Sequence, residues 1–312
     1  MAISGVSTLL NAALNYVFIF GLGPIDAIGV RGAALATVIS AWVGPVLLIA
    51  IAVFKKTVLY GPLREMFNVK KEEFFAVLRR MLPVLINEGL WGLGTWTIGV
   101  IYANLGKDEY GGVTIARTVE MIGFSFIQGL GAACCVSVGK GVGAGKIENA
   151  VRDAKRFGIL VPLASLFIGS AVILLRAPIL SLFNMGDSLS AVTLATASGM
   201  LLIYAVELAI RNIPYIQIVG IFRSGGDTLF ASLYDIGCLW LLAIPAALIS
   251  SSLGAPFLLV VAIAYICEDW PKTFFCLMRF KSLKWIKPVT AEGIEGHKAF
   301  LEKQKNKKFC FL

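Results

Sequence analysis

Eight long apolar stretches occupy almost all of the chain between Ile3 and Phe280. The hydrocarbon core of a bilayer is about 30 Å thick, so a helix that crosses it needs roughly 20 apolar residues. Apolar residues make up 58% of the chain and charged residues 15%, which is not typical of a soluble domain with a polar exterior. The sequence therefore predicts an all-α polytopic membrane protein with eight transmembrane helices, approximately at residues 3–22, 32–54, 81–104, 112–138, 157–176, 190–222, 228–252 and 256–280.

Basic residues are concentrated in every second gap between these stretches. Of the 28 Lys and Arg residues, seven lie within residues 55–80, five within 140–156 and nine from Arg279 onward. The alternate gaps hold only the single residues Arg31, Lys107 and Arg176. Because a basic excess in short loops marks the cytoplasmic side, we expect a multi-pass protein of the bacterial cytoplasmic (inner) membrane with both termini in the cytoplasm.

The net charge of +9 does not indicate nucleic-acid binding. Most of the basic residues lie where a membrane protein needs them for orientation and for contact with anionic membrane lipids. The only histidine is His297 in the tail, so a histidine-based catalytic triad lacks its base. The glycine-rich run 139–146 resembles a phosphate-binding loop, but Ile147 stands where that motif requires Ser or Thr. We therefore expect no enzyme, no catalytic residue, no metal site and no cofactor.

Two charged stretches divide the chain into regions. Residues 55–80 are predicted to form a cytoplasmic linker between a two-helix region, residues 1–54, and a six-helix region, residues 81–280. The linker contains KKEEFFAVLRR, whose apolar spacing predicts a short helix on the membrane surface. Residues 281–312 form a basic cytoplasmic tail, and we expect its polar part after Ala291 to be mostly disordered.

Ionisable and polar groups within the third apolar stretch predict one wall of a water-filled cavity. Glu88, Gly92 and Thr95 fall on one face at helical spacing, with Trp91 beside them. Ionisable groups within lipid are costly and normally face a protein interior or water. The alternative is that the glycines of this helix only permit close packing, with Glu88 hydrogen-bonded to a neighbouring helix.

The fourth stretch carries a polar stripe that includes Arg117, Glu120 and Gln128. Arg117 and Glu120 are three residues apart, so they are able to form an ion pair within the helix. The stripe makes these three residues candidates for binding a substrate or coupling ion, but the spacing does not determine whether this helix faces the one that carries Glu88. An internally neutralised structural pair explains the spacing equally well.

The sixth stretch holds Glu207 and Arg211 four residues apart, followed by Asn212 and Pro214. The spacing predicts an ion pair between Glu207 and Arg211. The alternative is that Glu207, together with Asn212, binds a substrate or ion. Pro214 is a candidate helix bend because proline removes a backbone hydrogen bond, which transporters tolerate where the free carbonyl meets water or a polar partner.

The last two stretches contain further charges. Asp235 lies within the seventh and is another candidate for binding a substrate or ion. Glu268, Asp269 and Lys272 lie near the predicted cytoplasmic end of the eighth, where we expect them to reach the lipid headgroups.

Several segments resemble the multidrug and toxic compound extrusion (MATE) transporters, particularly those of Gram-positive bacteria. The resemblance covers residues 1 to about 290. LNYVFIFGLG and IGVRGAALATVIS are similar to the fifth and sixth helices of the family, and LPVLINEGLWGLGTWTIGVIYANLG is similar to its seventh. ARTVEMIGF and GKGVGAGKIENAVRDAKR resemble the eighth helix and the loop after it, and GIFRSGGDT resembles the turn between the tenth and eleventh helices.

This resemblance implies an architecture of two related six-helix lobes around a central cleft. The chain then supplies two helices of an N-terminal lobe and a complete six-helix C-terminal lobe, and it lacks the first four helices of the family. We expect an incomplete copy that works with a missing N-terminal lobe or with a second copy of itself. Glu88 lies on the helix where the family usually has an acidic group, whereas Asn212 stands where some members have an acidic residue.

The resemblance also implies a function. We expect a secondary active transporter, an antiporter that exports drugs or small organic cations in exchange for sodium ions or protons. Two alternatives stay open at this point. One is a lipid-linked oligosaccharide flippase of the same superfamily, which needs a strongly cationic cavity to hold pyrophosphate, with only Arg117 and Arg211 as candidates. The other is a membrane bundle or fragment that does not transport.

The distribution of basic residues predicts the outcome of reporter fusions. Fusions after Arg80, Arg156 and Thr290 are expected to report a cytoplasmic location. Fusions at Asp108, Gly186 and Leu253 are expected to report an external one. The measurement is the activity ratio of a reporter active only in the cytoplasm to one active only outside. An external result for the fusion after Arg80 would overturn the topology.

Overall fold

The computed structural model describes residues 2–22, 26–56, 70–184 and 189–309. Nearly all of these residues lie in ten helices: α1 (Ala2–Phe20), α2 (Val30–Phe54), α3 (Lys71–Leu105), α4 (Lys107–Gly143), α5 (Ile147–Leu174), α6 (Arg176–Phe183), α7 (Ala191–Gly225), α8 (Thr228–Ser252), α9 (Phe257–Lys281) and α10 (Ala291–Phe309). The predicted all-α fold class is confirmed. Each of the eight predicted apolar stretches falls largely within one long helix.

Five of the long helices, α2, α4, α5, α7 and α8, are long and apolar enough to cross a membrane. The helix α1 is apolar but shorter. The helices α3 and α9 include the charged residues Glu88, Glu268, Asp269 and Lys272 within their apolar stretches, which lowers their hydropathy. The number of eight spans stays a prediction.

The chain forms two compact units, residues Met1–Ala76 and Val77–Leu312. In the first unit, α1 and α2 pack closely because small residues let their backbones approach. A Cβ atom added at Gly32 would overlap Phe18 at its Cβ, 2.7 Å away. Polar side chains also join the pair: Ser7 donates a hydrogen bond to the Ser40 carbonyl, and the Asn11 amide donates to the Ser40 hydroxyl at 2.9 Å. Small residues and polar links are the usual stabilisers of helix pairs in lipid.

The second unit contains two clusters of buried apolar residues. One surrounds Tyr102, Leu201 and Val260, which come from α3, α7 and α9. The other surrounds Ile127, Phe222 and Trp285, which come from α4, α7 and the segment after α9. These clusters fix the rotation of the helices about their axes, and so they determine which side chains face the polar cavity described below.

The linker and the tail differ from the sequence-based expectations. Residues 71–80 continue directly into α3 and do not form a separate surface helix, while residues 57–69 lie outside the described residues.

The expectation of a mostly disordered tail is wrong for residues 291–309, which form α10. The backbones of α10 and the loop after α4 meet at Gly145 and Gly296, where neither position has room for a Cβ atom. Thr290 donates a hydrogen bond to the Gly143 carbonyl at 2.5 Å, and Lys303 pairs with Glu148 at 2.9 Å.

The turn between α7 and α8 is held by the segment that follows α9. Gly226 has a φ of +94°, a conformation that favours glycine. The Lys287 amide donates a hydrogen bond to the Gly225 carbonyl at 2.7 Å. Behind the turn, the Asp227 carboxylate is fully buried and binds Arg279 at 2.8 Å and Lys287 at 2.6 Å. The turn is therefore fixed by both backbone and charged contacts.

The close packing at Gly225 predicts a stability difference between two Gly→Ala substitutions. A Cβ atom at Gly225 would lie 2.5 Å from Trp285 Cε3 and 2.7 Å from the Trp285 carbonyl oxygen, so Gly225→Ala is expected to lower the free energy of unfolding by about 1–3 kcal/mol. The matched control is Gly237→Ala on α8, because nothing lies within 4 Å of a Cβ atom there. Thermal unfolding of the purified variants in detergent checks this, and equal midpoints would contradict it.

Candidate functional site

A cavity of about 670 Å³ lies within the second unit. It is lined by α3, α4, α7, α8 and α9, and its walls combine charged side chains with aromatic ones. The aromatic lining residues are Trp91, Trp96, Tyr102, Phe124, Tyr204, Tyr215 and Tyr265. Its size and its mixed lining are typical of small-molecule sites.

The structure brings most of the candidate residues together around this cavity. The lining includes Glu88, Trp91, Thr95, Arg117, Glu120, Gln128, Asn212 and Asp235, as well as Pro214. Glu207 is not part of the lining. Placement around one cavity shows that the candidates share a site, while their role in binding stays a prediction.

The ion pair on the cavity wall joins α4 to α7. Arg211 binds the Glu120 carboxylate, and the Arg211 guanidinium also lies over the Tyr265 ring at 5.3 Å. The expected pairs between Arg117 and Glu120 and between Glu207 and Arg211 are both wrong. Helical spacing permits them, but the rotation of α7 directs Arg211 towards α4.

Glu207 faces α9 instead of the cavity. Its two carboxylate oxygens accept hydrogen bonds from the indole nitrogen of Trp270 at 3.4 and 3.3 Å. Glu207 is therefore a buried polar contact between α7 and α9.

Glu88 forms an ion pair with Arg223 at 2.7 Å. The Glu88 side chain is 56% exposed, so protein atoms do not enclose the carboxylate. No atom lies near the position that a Cβ would take at Gly92, one turn further along α3. The α3 face that bears Glu88 is therefore open at this turn, and its role as a binding wall stays a prediction.

Lys272 is the most buried cation of the cavity, with a side chain that is 6% exposed. Its ammonium binds Asp235 on α8 at 3.0 Å and Glu268 on α9 at 2.8 Å. Asp235 also accepts a hydrogen bond from the Asn87 amide on α3 at 3.1 Å. The expectation that Glu268, Asp269 and Lys272 reach lipid headgroups is wrong, because all three line the cavity.

The lining charges do not balance. Four cations and five carboxylates face the cavity: Arg117, Arg211, Arg223 and Lys272 against Glu88, Glu120, Asp235, Glu268 and Asp269. Three of the cations bind carboxylates. Within the described part of the chain, Arg117 and Asp269 make no ion pair. With every group charged, the lining has one negative charge in excess.

Four charged lining residues were not among the sequence-based site candidates, namely Arg223, Glu268, Asp269 and Lys272. Arg223 belongs to the segment GIFRSGGDT, which resembles a turn of the MATE family, although it lies in the last turn of α7. A signal for the other three was present, because Glu268 and Lys272 are four residues apart within an apolar stretch. Their position near one end of that stretch favoured a headgroup interpretation, and only the packing of α8 against α9 shows otherwise.

Pro214, the bend candidate, leaves one backbone carbonyl of α7 without its usual donor. Proline cannot donate to the carbonyl four residues earlier, which here belongs to Ile210. That carbonyl accepts a hydrogen bond from the Thr273 hydroxyl on α9 at 3.2 Å. A wider π-helical segment, Ile216–Phe222, follows in the same helix, and such segments are frequent at functional sites.

Among the described residues, no group of three or more His, Cys, Asp or Glu side chains is arranged to hold a metal ion. The described cysteines Cys134, Cys135, Cys238, Cys267 and Cys276 are all free thiols. The cavity lining itself offers charged groups, hydrogen-bonding groups and aromatic rings.

A family model described as MatE matches residues 83–249, which is more than half of the chain. The chain is 26% identical over 290 residues to the probable multidrug resistance protein NorM of Thermotoga maritima, an alignment that covers 92% of this chain and 60% of that protein. It is 23% identical over 284 residues to the uncharacterized transporter YisQ of Bacillus subtilis, covering 89% and 60%. The chain thus spans about 60% of the length of these curated relatives.

Solved structures show the same fold. An outward-facing multidrug resistance MATE family transporter of the MOP superfamily superposes with a TM-score of 0.74 at 20% identity, covering 92% of this chain and 63% of that one. A mutant of the Vibrio cholerae MATE transporter VcmN gives a TM-score of 0.72 at 17% identity, covering 91% and 63%. At these identities the likeness concerns the fold alone.

The network around Lys272 predicts a large effect of a single substitution. Lys272→Met removes the cation that Asp235 and Glu268 share, and leaving buried charges without a partner costs about 3–5 kcal/mol. We expect a loss of stability near the lower end of this range, because Asp235 and Glu268 are 16% and 17% exposed. Thermal unfolding in detergent is the measurement. Lys281→Met, an exposed position at the end of the same helix, is the control, and equal losses for both variants would rule out the predicted role.

Proposed function

Because the chain belongs to the MatE family, we propose that it serves in a secondary active transporter that exports drugs or small organic cations from bacteria. Members of this family are transporters and not enzymes, in agreement with the sequence-based expectation. The observation that carries the proposal is the cavity, which combines aromatic walls with one carboxylate more than it has cations. A probable multidrug resistance protein is among the curated relatives.

The cavity lining accounts for cation binding in physical terms. Planar organic cations are attracted to aromatic faces by the ring quadrupole, and this attraction increases where water is excluded. Trp91 lies on α3 beside Glu88, and its side chain is partly open to the cavity. A cation that stacks on Trp91 therefore comes close to the Glu88 carboxylate. The same site then provides both aromatic stacking and attraction to a negative charge.

The ion pair between Glu88 and Arg223 supplies an exchange mechanism. An organic cation, a sodium ion or a proton at Glu88 competes with the Arg223 guanidinium for the same carboxylate. Since the pair is partly exposed, breaking it costs little compared with breaking the buried pairs. Competition of this kind makes binding of the drug and of the coupling ion mutually exclusive, as antiport requires.

We place the protein in the bacterial inner membrane with both termini in the cytoplasm. The support is the excess of basic residues in alternate loops together with the five helices that are long and apolar enough to span. Surrounding lipids and the transported cations are its proposed partners. The coupling ion is sodium or the proton, and either carries the one positive charge that a single carboxylate neutralises.

The charge pattern disfavours the flippase alternative. A site for pyrophosphate needs several uncompensated cations, preferably arginines. Here Arg211, Arg223 and Lys272 already bind carboxylates, and within the described lining Arg117 is left as the unpaired cation. The cavity therefore suits a cationic ligand better than an anionic one.

The proposed role of Glu88 is tested by Glu88→Gln in the purified 312-residue protein. This variant keeps the shape of the side chain but removes its charge, so we expect roughly tenfold weaker binding of the fluorescent cation ethidium, equivalent to about 1.4 kcal/mol. Glu88→Asp is expected to retain part of the affinity. Fluorescence titration in detergent gives the dissociation constants, and farnesyl pyrophosphate is expected not to compete.

The control is Glu302→Gln, which removes one negative charge from an exposed position on α10. Unchanged ethidium affinity in Glu88→Gln would favour the packing interpretation of this residue. Tight binding of farnesyl pyrophosphate would favour the flippase, and binding of neither ligand would favour a membrane bundle without transport.

A further inference from the structure

Asp269 on α9 is the lining carboxylate that has no partner. The residue is 3% exposed, and its Oδ2 atom is buried without a hydrogen bond. Within the described part of the chain it forms no ion pair either. It nevertheless lines the cavity, so a small ligand is able to reach it from there.

The charged groups around Asp269 are already engaged elsewhere. Its cationic neighbours are Arg211 and Lys272, and its anionic neighbours are Glu268 and Glu207. Arg211 binds Glu120 on α4, and Lys272 binds both Asp235 on α8 and Glu268 on α9. Glu207 on α7 accepts hydrogen bonds from Trp270. No neighbouring cation is free to neutralise Asp269.

A carboxylate held out of water without a partner is strongly unfavourable. The cost is removed when the group takes up a proton or binds a small monovalent cation. Metal sites that need three or more protein carboxylates, thiols or imidazoles are absent among the described residues. The surroundings of Asp269 therefore favour a single small positive charge.

We propose that Asp269 is a cation site of its own, separate from Glu88, that binds a proton or a sodium ion at the α9 side of the cavity. The assignment of this ion as the coupling ion rests on the proposed transport function. The binding itself is measurable without transport, so the two proposals can fail separately.

The position of Asp269 links its occupancy to helix packing. Asp269 and Lys272 are three residues apart on α9, a spacing at which side chains are able to pair. When Asp269 holds a cation, Lys272 remains bonded to Asp235 on α8. When Asp269 is empty and charged, it competes for Lys272 and weakens the link between α8 and α9. Loss of the ion would thus loosen one wall of the cavity.

Infrared difference spectroscopy of the purified 312-residue protein in liposomes tests this proposal. Lowering the pH without sodium is expected to produce a protonated-carboxyl band that Asp269→Asn lacks. Sodium chloride is then added in place of choline chloride, so that the ionic strength stays constant. This step distinguishes a site for sodium from a site for the proton alone. A band that sodium removes indicates that both cations share the site, and a band that sodium leaves unchanged indicates a proton site.

Three further variants make the test decisive. Asp269→Glu retains a carboxyl group and is expected to keep the band at a shifted frequency, which also covers the case that Asp269→Asn does not fold. Glu302→Gln controls for a surface carboxylate and is expected to match the unsubstituted protein. Glu88→Gln is expected to keep the Asp269 band while its ethidium binding weakens.

Two results would overturn the assignment of Asp269. One is a folded Asp269→Asn protein in which the carboxyl band persists. If Asp269→Asn does not fold, the equivalent result is an Asp269→Glu protein whose carboxyl band is not shifted. The other is an unsubstituted protein that shows neither the band nor a response to sodium. If either result is obtained while ethidium binding is normal, the Asp269 assignment fails and the proposed transport function does not.

Discussion

Compensation of buried charge is the constraint on which the second unit depends. Charged side chains within a lipid-crossing helix are costly unless they meet an opposite charge or water. Here the compensating contacts run between helices: Arg211 joins α7 to Glu120 on α4, and Lys272 joins α9 to Asp235 on α8. The same contacts that stabilise the bundle therefore surround a polar cavity and determine its charge.

Backbone carbonyls within the bundle also need partners, and side chains of adjacent helices supply them. The carbonyl that Pro214 leaves without a donor is satisfied by Thr273 on the neighbouring helix. The carbonyl of Leu90 accepts a hydrogen bond from the Trp240 indole at 3.0 Å. Trp240 lies in a second π-helical segment, Leu239–Ala243. Irregular backbone is thus found on two helices that line the cavity, where side chains of adjacent helices are available as partners.

Much of the fold is predictable from the sequence because its signal is local. The length of each apolar stretch determines a helix, and an ionisable residue within such a stretch predicts a polar interior. This argument made Glu88, Glu120 and Asp235 site candidates, and the structure places all three around one cavity. The partners of these residues were not predictable. Whether Arg211 meets Glu207 or Glu120 depends on the rotation of α7, which the packing of Leu201 and Phe222 in the apolar clusters determines. The helix α10 was missed because its composition is polar, while its docking uses the glycine backbone at Gly145 and Gly296.

The cavity of the second unit is proposed to bind organic cations because its carboxylates exceed its cations. The most direct measurement is an experimental structure of the protein with tetraphenylarsonium, in which anomalous scattering locates the arsenic atom. We expect one arsenic position inside the cavity, between Trp91 on α3 and the carboxylates of Glu88 and Glu120. An arsenic position on the lipid-facing surface, or an empty cavity at saturating ligand, would contradict it.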